Sequence, residues 1–183
     1  MIKRLSMLTG SDLENALWTV SLSIHNYDYE DQEQFIHFLS NHFCNIAPSV
    51  MLRTLTNMLH WYYYNMNERI KSLYIEMLLA LSDTVDIISG DLFEIIGIII
   101  KGCSKNDYHR IVSFINNNYR KCFDDYSSVI SLCNCIRYSY PELDSEGKNI
   151  LFSILNYLEQ RFQGTDIYPS IEFTINSLED RDI

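Results

Sequence analysis

Apolar side chains along this chain fall into stripes with the spacing of α-helices. The pattern is plainest over residues 66–83, MNERIKSLYIEMLLALSD, where an Asn67-Glu68 pair suited to a helix start precedes Ile70, Leu73, Met77, Leu78 and Leu81. Those five share one face of a 3.6-residue helix. The stripe recurs on both sides: Phe35, Leu73, Ile111 and Ile150 follow at intervals of 38, 38 and 39 residues. Leu39, Met77, Ile115 and Ile154, one turn later, step identically.

Taken in order, the pattern predicts eight main helices. A capping box Ser11-x-x-Glu14 opens the first, over about 12–25, with Leu13, Leu17, Val20 and Ile24 inward. The second carries Phe35, Ile36, Phe38, Leu39 and Phe43. Pro48 suits the first turn of the third, which buries Met51 or Leu52, Leu55, Met58 and Tyr62. After the central stretch, Ser89 caps a fifth helix through Leu92, Phe93, Ile96 and Ile100, which Gly102 ends. Asn106 caps the sixth, with Ile111, Val112 and Ile115 inward; Asp124 and Asp125 lead into the seventh, with Val129, Leu132, Cys133 and Ile136. Asp144 caps the eighth, whose stripe runs through Ile150, Leu151, Ile154, Leu155 and Leu158 to a stop at Gly164. A last segment from Pro169, with Ile171, Ile175 and Leu178, reads as a cap on the end of the array.

The odd-numbered helices keep the same step: Leu17, Leu55, Phe93, Leu132, and beside them Val20, Met58, Ile96, Cys135. The candidate caps Asp28, Asn67, Asn106 and Asp144 repeat at 39, 39 and 38. A two-helix unit of about 40 residues that cannot bury its own apolar face stacks on its neighbours. The expected fold is therefore all-α: one domain over 1–183, an α-solenoid of about four helical hairpins with a period of about 38. The hairpins fall at about 11–46, 48–83, 89–122 and 126–163, with a C-terminal capping segment at 166–183. In period and pattern the chain resembles HEAT and armadillo repeat proteins. Asn67-Glu-Arg-Ile-Lys71 looks like the opening of a second HEAT helix. The equivalent basic position reads Lys71, His109 and Lys148, but Glu33 in the first unit, and only Pro48 matches the expected first-helix proline. The competing architecture is a compact bundle. There the acidic charge and the segment SVISLCNC (128–135) resemble poxviral relatives of the apoptosis-regulator bundle, which inhibit host apoptosis or innate signalling, although their Asn-Trp-Gly-Arg groove motif is missing.

Composition narrows the function classes. A chain of 183 residues buries roughly 70% of its unfolded surface. Six glycines and three prolines are too few for a turn-punctuated β-fold. The net charge of −10 disfavours nucleic acid and would suit a basic partner. Cys44, Cys103, Cys122, Cys133 and Cys135 are odd in number and irregular in spacing, so they are expected to be small buried residues in a reducing compartment rather than a disulfide framework or a metal knuckle. The start, MIKRLSMLTGSDLE, lacks the apolar core of a signal peptide, and the longest apolar run, Ile95 to Ile100, is too short to cross a bilayer. A cytoplasmic protein that neither spans nor binds a membrane is expected.

No His-Glu-x-x-His, Gly-rich phosphate loop or Gly-x-Ser-x-Gly elbow occurs, and no enzymatic activity, cofactor or metal is expected. What remains is the edge formed by the turns within hairpins, where acids and aromatics gather. The first turn holds Tyr27, Asp28, Tyr29, Glu30 and Asp31; the second, Trp61, Tyr62, Tyr63, Tyr64 and Glu68. The third holds Asp107 and Tyr108, and the fourth Tyr138, Tyr140, Glu142, Asp144 and Glu146. Tyr29, Tyr63, Tyr64 and Tyr140 are the expected exposed anchors, while Tyr62 falls in register with core positions. Aromatic anchors with acids that steer a basic partner make a protein-binding edge. In size, charge and architecture the chain resembles the small immunity proteins of bacterial contact-dependent and other polymorphic toxin systems. That resemblance implies a cognate basic toxin domain, typically a nuclease, whose active site is occluded. A helical-repeat scaffold of a larger assembly is the remaining alternative.

Overall fold

A computed structural model describes residues 2–59, 65–84 and 90–179. Among these residues the structure is all-α, with no strand. The helices are α1 (Ile2–Leu5), α2 (Gly10–Ser23), α3 (Tyr29–Asn41), α4 (Pro48–Leu59), α5 (Glu68–Thr84), α6 (Gly90–Ile99), α7 (Lys105–Asn118), α8 (Tyr126–Ser139), α9 (Ser145–Phe162) and α10 (Tyr168–Glu179). The chain divides into two compact units, Met1–Val85 and Asp86–Ile183. Residues 60–64 and 85–89, with Tyr62 and the cap assigned to Ser89, lie outside the described residues.

Short polar side chains fix most helix starts by taking up an orphan backbone N–H. The Asp28 carboxylate accepts from the Asp31 N–H at 2.8 Å, the Asn67 side-chain oxygen from Ile70 at 3.0 Å, and Asp144 from Gly147 at 2.9 Å. Asp125 accepts from the amides of Ser127 and Ser128, both at 3.1 Å, and from both hydroxyls. Those bonds hold its pKa down at about 2, the Ser128 bond most strongly.

Two starts differ from the sequence reading. Gly10 takes a left-handed φ of 54°, and the Thr9 carbonyl meets the Leu13 N–H at 3.5 Å. The helix therefore begins ahead of Ser11, and Ser11 and Glu14 are exposed residues within it rather than a capping box. Ser104, not Asn106, caps α7: its hydroxyl accepts from the Asp107 N–H at 3.3 Å and donates to the Asp107 carboxylate at 2.8 Å. The observed caps of α3, α5, α7 and α9 thus step by 39, 37 and 40 residues.

In the first unit α2 packs on α4, α3 on α5, and α4 against α5, with α1 touching α2 and α3. In the second unit α6 packs on α8, α8 on α10, α7 on α9, and α10 also on α9. Three of the four apolar ladders are buried at every rung: Leu39, Met77, Ile115, Ile154; Leu17, Leu55, Phe93, Leu132; and Val20, Met58, Ile96, Cys135. Each large side chain so buried stabilises the fold by about 1.5–3 kcal/mol before entropy is counted. The Phe35 ladder is buried at Phe35 and Ile111 but only half-buried at Leu73 and Ile150. On α5 the inward face extends past the expected stripe to Tyr74, whose hydroxyl donates to the Leu55 carbonyl at 2.8 Å. Cys122, Cys133 and Cys135 are buried, and burial pushes each thiol up to about 12. Cys44 is exposed and Cys103 half-buried, so the expectation of five buried cysteines fails there: both sit in turns between helices, off the apolar stripes.

The most extensive helix–helix contact among the described residues is α6 on α8. α6 is enclosed on nearly every side, fully exposing only Asp91 and Glu94. Its approach depends on Gly97, where an added Cβ would sit 2.9 Å from the Cys135 Cα. Gly97→Ala gains about 1 kcal/mol of helix propensity. Overpacking costs about 1–3 kcal/mol, and the obstacle here is backbone that cannot rotate away. The clash is expected to win, lowering the urea midpoint by a net loss of up to about 2 kcal/mol; an unchanged or higher midpoint would contradict the close approach.

Candidate functional site

In the first unit the structure brings the starts of α3 and α5 together, and with them the first turn singled out above and Glu68 of the second. Tyr29 donates through its hydroxyl to Glu33 at 3.0 Å, and the Asn67 amide reaches both the Glu33 carboxylate at 2.6 Å and the Tyr29 hydroxyl. Asn67 therefore does two jobs: its oxygen caps α5 while its nitrogen ties α5 to α3. Gln32 pins the preceding turn, donating to the carbonyls of Ile24 at 3.1 Å and Tyr27 at 2.9 Å. Around this frame Asp28, Tyr29, Glu30 and Glu68 are exposed, Tyr29 to 47%. Glu68 is met by Lys71 at 3.3 Å, and Glu30 accepts from Gln34 at 3.2 Å. Tyr27 and Asp31 are half-buried and face a separate open cleft of about 730 Å³ with Arg4, Leu5 and Leu8. Tyr63 and Tyr64 lie outside the described residues.

In the second unit the starts of α7 and α9 lie side by side around a small cavity of about 100 Å³, lined in part by Tyr108, His109, Glu142 and Asp144. Burial, then the Glu142 carboxylate, raises the Tyr108 phenol above its ordinary range. His109 Nε2 stands 3.9 Å from Asp144, both well exposed, a contact worth little in water. This edge is less acidic than the sequence suggested. Lys105 lines the same cavity, Asp107 is buried against Ser104 and Arg110, and Lys148 sits 4.9 Å from the Tyr140 ring centre. Tyr140 itself is a correction. Expected as an exposed anchor, it is 7% exposed, because the chain continues past α8 as a 3-10 turn (Tyr140–Glu142) that turns the ring inward. Glu142, Asp144 and Glu146 are exposed as expected, though the Asp144 carboxylate is engaged as a cap.

Apart from Tyr138, already placed at the fourth turn, sequence reasoning passed over another set of exposed side chains. Trp18 and Leu22 on α2, Tyr126, Ile130 and Tyr138 on α8, and Phe173 on α10 are each at least 40% exposed. Their spacing by four along α2 and α8 was legible as a stripe, yet the sequence cannot say which of two stripes on a helix faces in. Among the described residues no group of three His, Cys, Asp or Glu side chains could hold a metal ion, and no helix is long and apolar enough to cross a membrane. Compared with known proteins, the chain matches no family model, no curated protein and no solved structure.

The dual role of Asn67 can be separated by two substitutions. Asn67→Ala loses cap and tie together and is expected to cost about 1 kcal/mol or more. Asn67→Asp keeps the cap but sets a carboxylate against Glu33, raising a carboxylate pKa in the folded state above its unfolded value. It is expected to be less stable than the parent at pH 7, with the deficit shrinking as pH falls through the raised value towards about 4. An Asn67→Asp variant as stable as the parent at pH 7 would refute the tie.

Proposed function

We propose that this chain is a protein-binding module of the helical-repeat kind, a HEAT-like α-solenoid of about four hairpins closed by α10, and that its partner is a basic protein. The packing of α2 on α4 and α3 on α5, repeated by α6 on α8 and α7 on α9, supports the repeat reading, as do the buried rungs. One observation carries the binding reading: exposed Asp28, Tyr29, Glu30 and Glu68 gather where two helix starts are locked together by Asn67. An aromatic ring held by hydrogen bonds loses little freedom on binding, and acids around it raise the encounter rate with a cation-rich surface. The edge of the second unit, partly offset by Lys105 and Lys148, contributes less.

Within that class, the role is neutralisation of a toxin domain, in the manner of a bacterial immunity protein: the acidic edge speeds encounter, Tyr29 anchors, and the toxin's active site is occluded. The net charge of −10 and the lack of a recognisable catalytic motif support this reading. The test is affinity capture from the native host, followed by stopped-flow association. A single basic partner is expected, its activity blocked in the complex. Its association rate should fall at least about tenfold between 0.1 and 1 M salt, as the screening length shrinks from about 10 Å to 3 Å. A double variant, Glu30→Lys with Glu68→Lys, should slow association comparably at low salt. An acidic partner, or a rate indifferent to salt and to the charge reversal, would overturn the binding reading. A fully active partner in the complex would overturn the neutralising role alone.

A further inference from the structure

The α8–α10 side of the second unit carries chemistry opposite to the acidic edge. Tyr126, Ile130, Asn134 and Tyr138 recur every four residues along α8, forming one ridge about 18 Å long. Tyr126, Ile130 and Tyr138 on it are 49%, 40% and 43% exposed. α10 faces this ridge with Phe173, 60% exposed, and between the two helices runs a groove of about 240 Å³ over buried Cys133 and Thr174. Scattered surface hydrophobes need no explanation, but a row of them along a groove does.

Arg137 contacts two residues that line the groove, Asn134 and Phe173, and its bonding is incomplete. Its Nε is enclosed and has no hydrogen-bond partner. Its Nη2 donates to Asn134 at 3.2 Å and to the Tyr138 hydroxyl at 3.3 Å. The guanidinium lies 5.1 Å from the Tyr138 ring centre and 5.5 Å from that of Phe173, and Lys101 approaches Tyr138 at 5.8 Å. Among the described residues it forms no ion pair with a carboxylate. Stacking on rings is a weak attraction at an exposed site. It supplies no counter-charge, and a half-enclosed guanidinium without one is costly.

We infer that this groove docks an amphipathic helix of a partner protein, with an apolar stripe laid between Ile130 and Phe173 and a carboxylate paired with Arg137. A helix is the fitting occupant because two packed helices offer an apolar furrow and no strand edge to extend. The carboxylate follows from charge complementarity: Arg137 and Lys101 are cationic on a chain whose net charge is −10. That same net charge disfavours a second copy of this chain. The groove shares no lining residue with the cavity at the starts of α7 and α9, and it stands or falls independently of the basic partner.

The test is a display selection from a library of helical peptides with randomised surface positions, run on the full-length protein and counter-selected against a Phe173→Ser variant. Circular dichroism first establishes that Phe173→Ser and Arg137→Gln unfold at the parent's temperature; should Arg137→Gln be destabilised, Arg137→Lys replaces it as the variant that keeps charge but loses the planar fork. Retained peptides are expected to share apolar residues three and four apart with an Asp or Glu at one fixed offset. Arg137→Gln should weaken them at least about tenfold, or Arg137→Lys by a smaller factor. Failure to retain any peptide, a consensus without the acid, or binding indifferent to position 137 would overturn the assignment. So would a parent protein that sediments as a dimer and a Phe173→Ser variant that sediments as a monomer, since the face would then belong to a second copy.

Discussion

A short amphipathic helix cannot hide its own apolar face, and that shortage governs the rest of this structure. α3 and α7 have 13 and 14 residues, too few for an isolated helix to persist in water. Each survives because Leu39 or Ile115, with its neighbours, is driven against the next helix of the same kind, α5 or α9. The demand recurs at each rung, so the chain repeats its apolar residues at nearly constant intervals while its polar residues vary. Where the demand is greatest, at α6, two sides are not enough, and a glycine replaces bulk so that α8 can come closer.

Burial on this scale also decides what is left outside. The acids at the starts of α3 and α9 have a purely local explanation, since a carboxylate in the first helical turn gains about 0.3–1 kcal/mol from the helix dipole. Glu30, Asp31, Glu68 and Glu146 stand in such first turns, while Asp28 and Asp144 are caps whose oxygens are occupied by backbone N–H groups. Glu30, Glu68 and Glu146 are not caps and stay exposed; within the first unit, Glu30, Glu68 and the fixed ring of Tyr29 are what the proposed binding draws on. The opposite chemistry collects on α8 and α10, where Arg137 is held by rings instead of carboxylates. The second unit thus keeps an apolar, cationic furrow apart from its own acidic turn.

The helices and the core were legible because their code is redundant: twelve rungs on three ladders are all apolar in the sequence and all buried in the structure. Helix starts were less so, because Ser104, Asn106 and Asp107 are all competent caps within four residues. The Ser104-x-x-Asp107 pairing that won has the spacing of a capping box, but its Asp107 carboxylate accepts from the Ser104 hydroxyl. Tyr140 was misjudged because it was grouped with the acids of the fourth turn, whereas it opens a 3-10 turn that folds its ring back. The tie from Asn67 to Tyr29 and Glu33 joins residues 38 and 34 apart and depends on helix pairing, which no local pattern reveals. The exposed ridge on α8 repeats at helical spacing as clearly as the buried one, and only packing tells them apart.

The most direct test of stacking between like helices is the coupling energy between neighbouring rungs, measured by a double-mutant cycle on Leu39→Ala and Met77→Ala in urea unfolding. Rungs that share one core should couple by about 0.5–3 kcal/mol. If the two losses simply add, within about 0.3–0.5 kcal/mol, α3 does not rest its apolar face on α5. The stacking of like helices on which the repeat reading and the acidic edge depend would then be wrong.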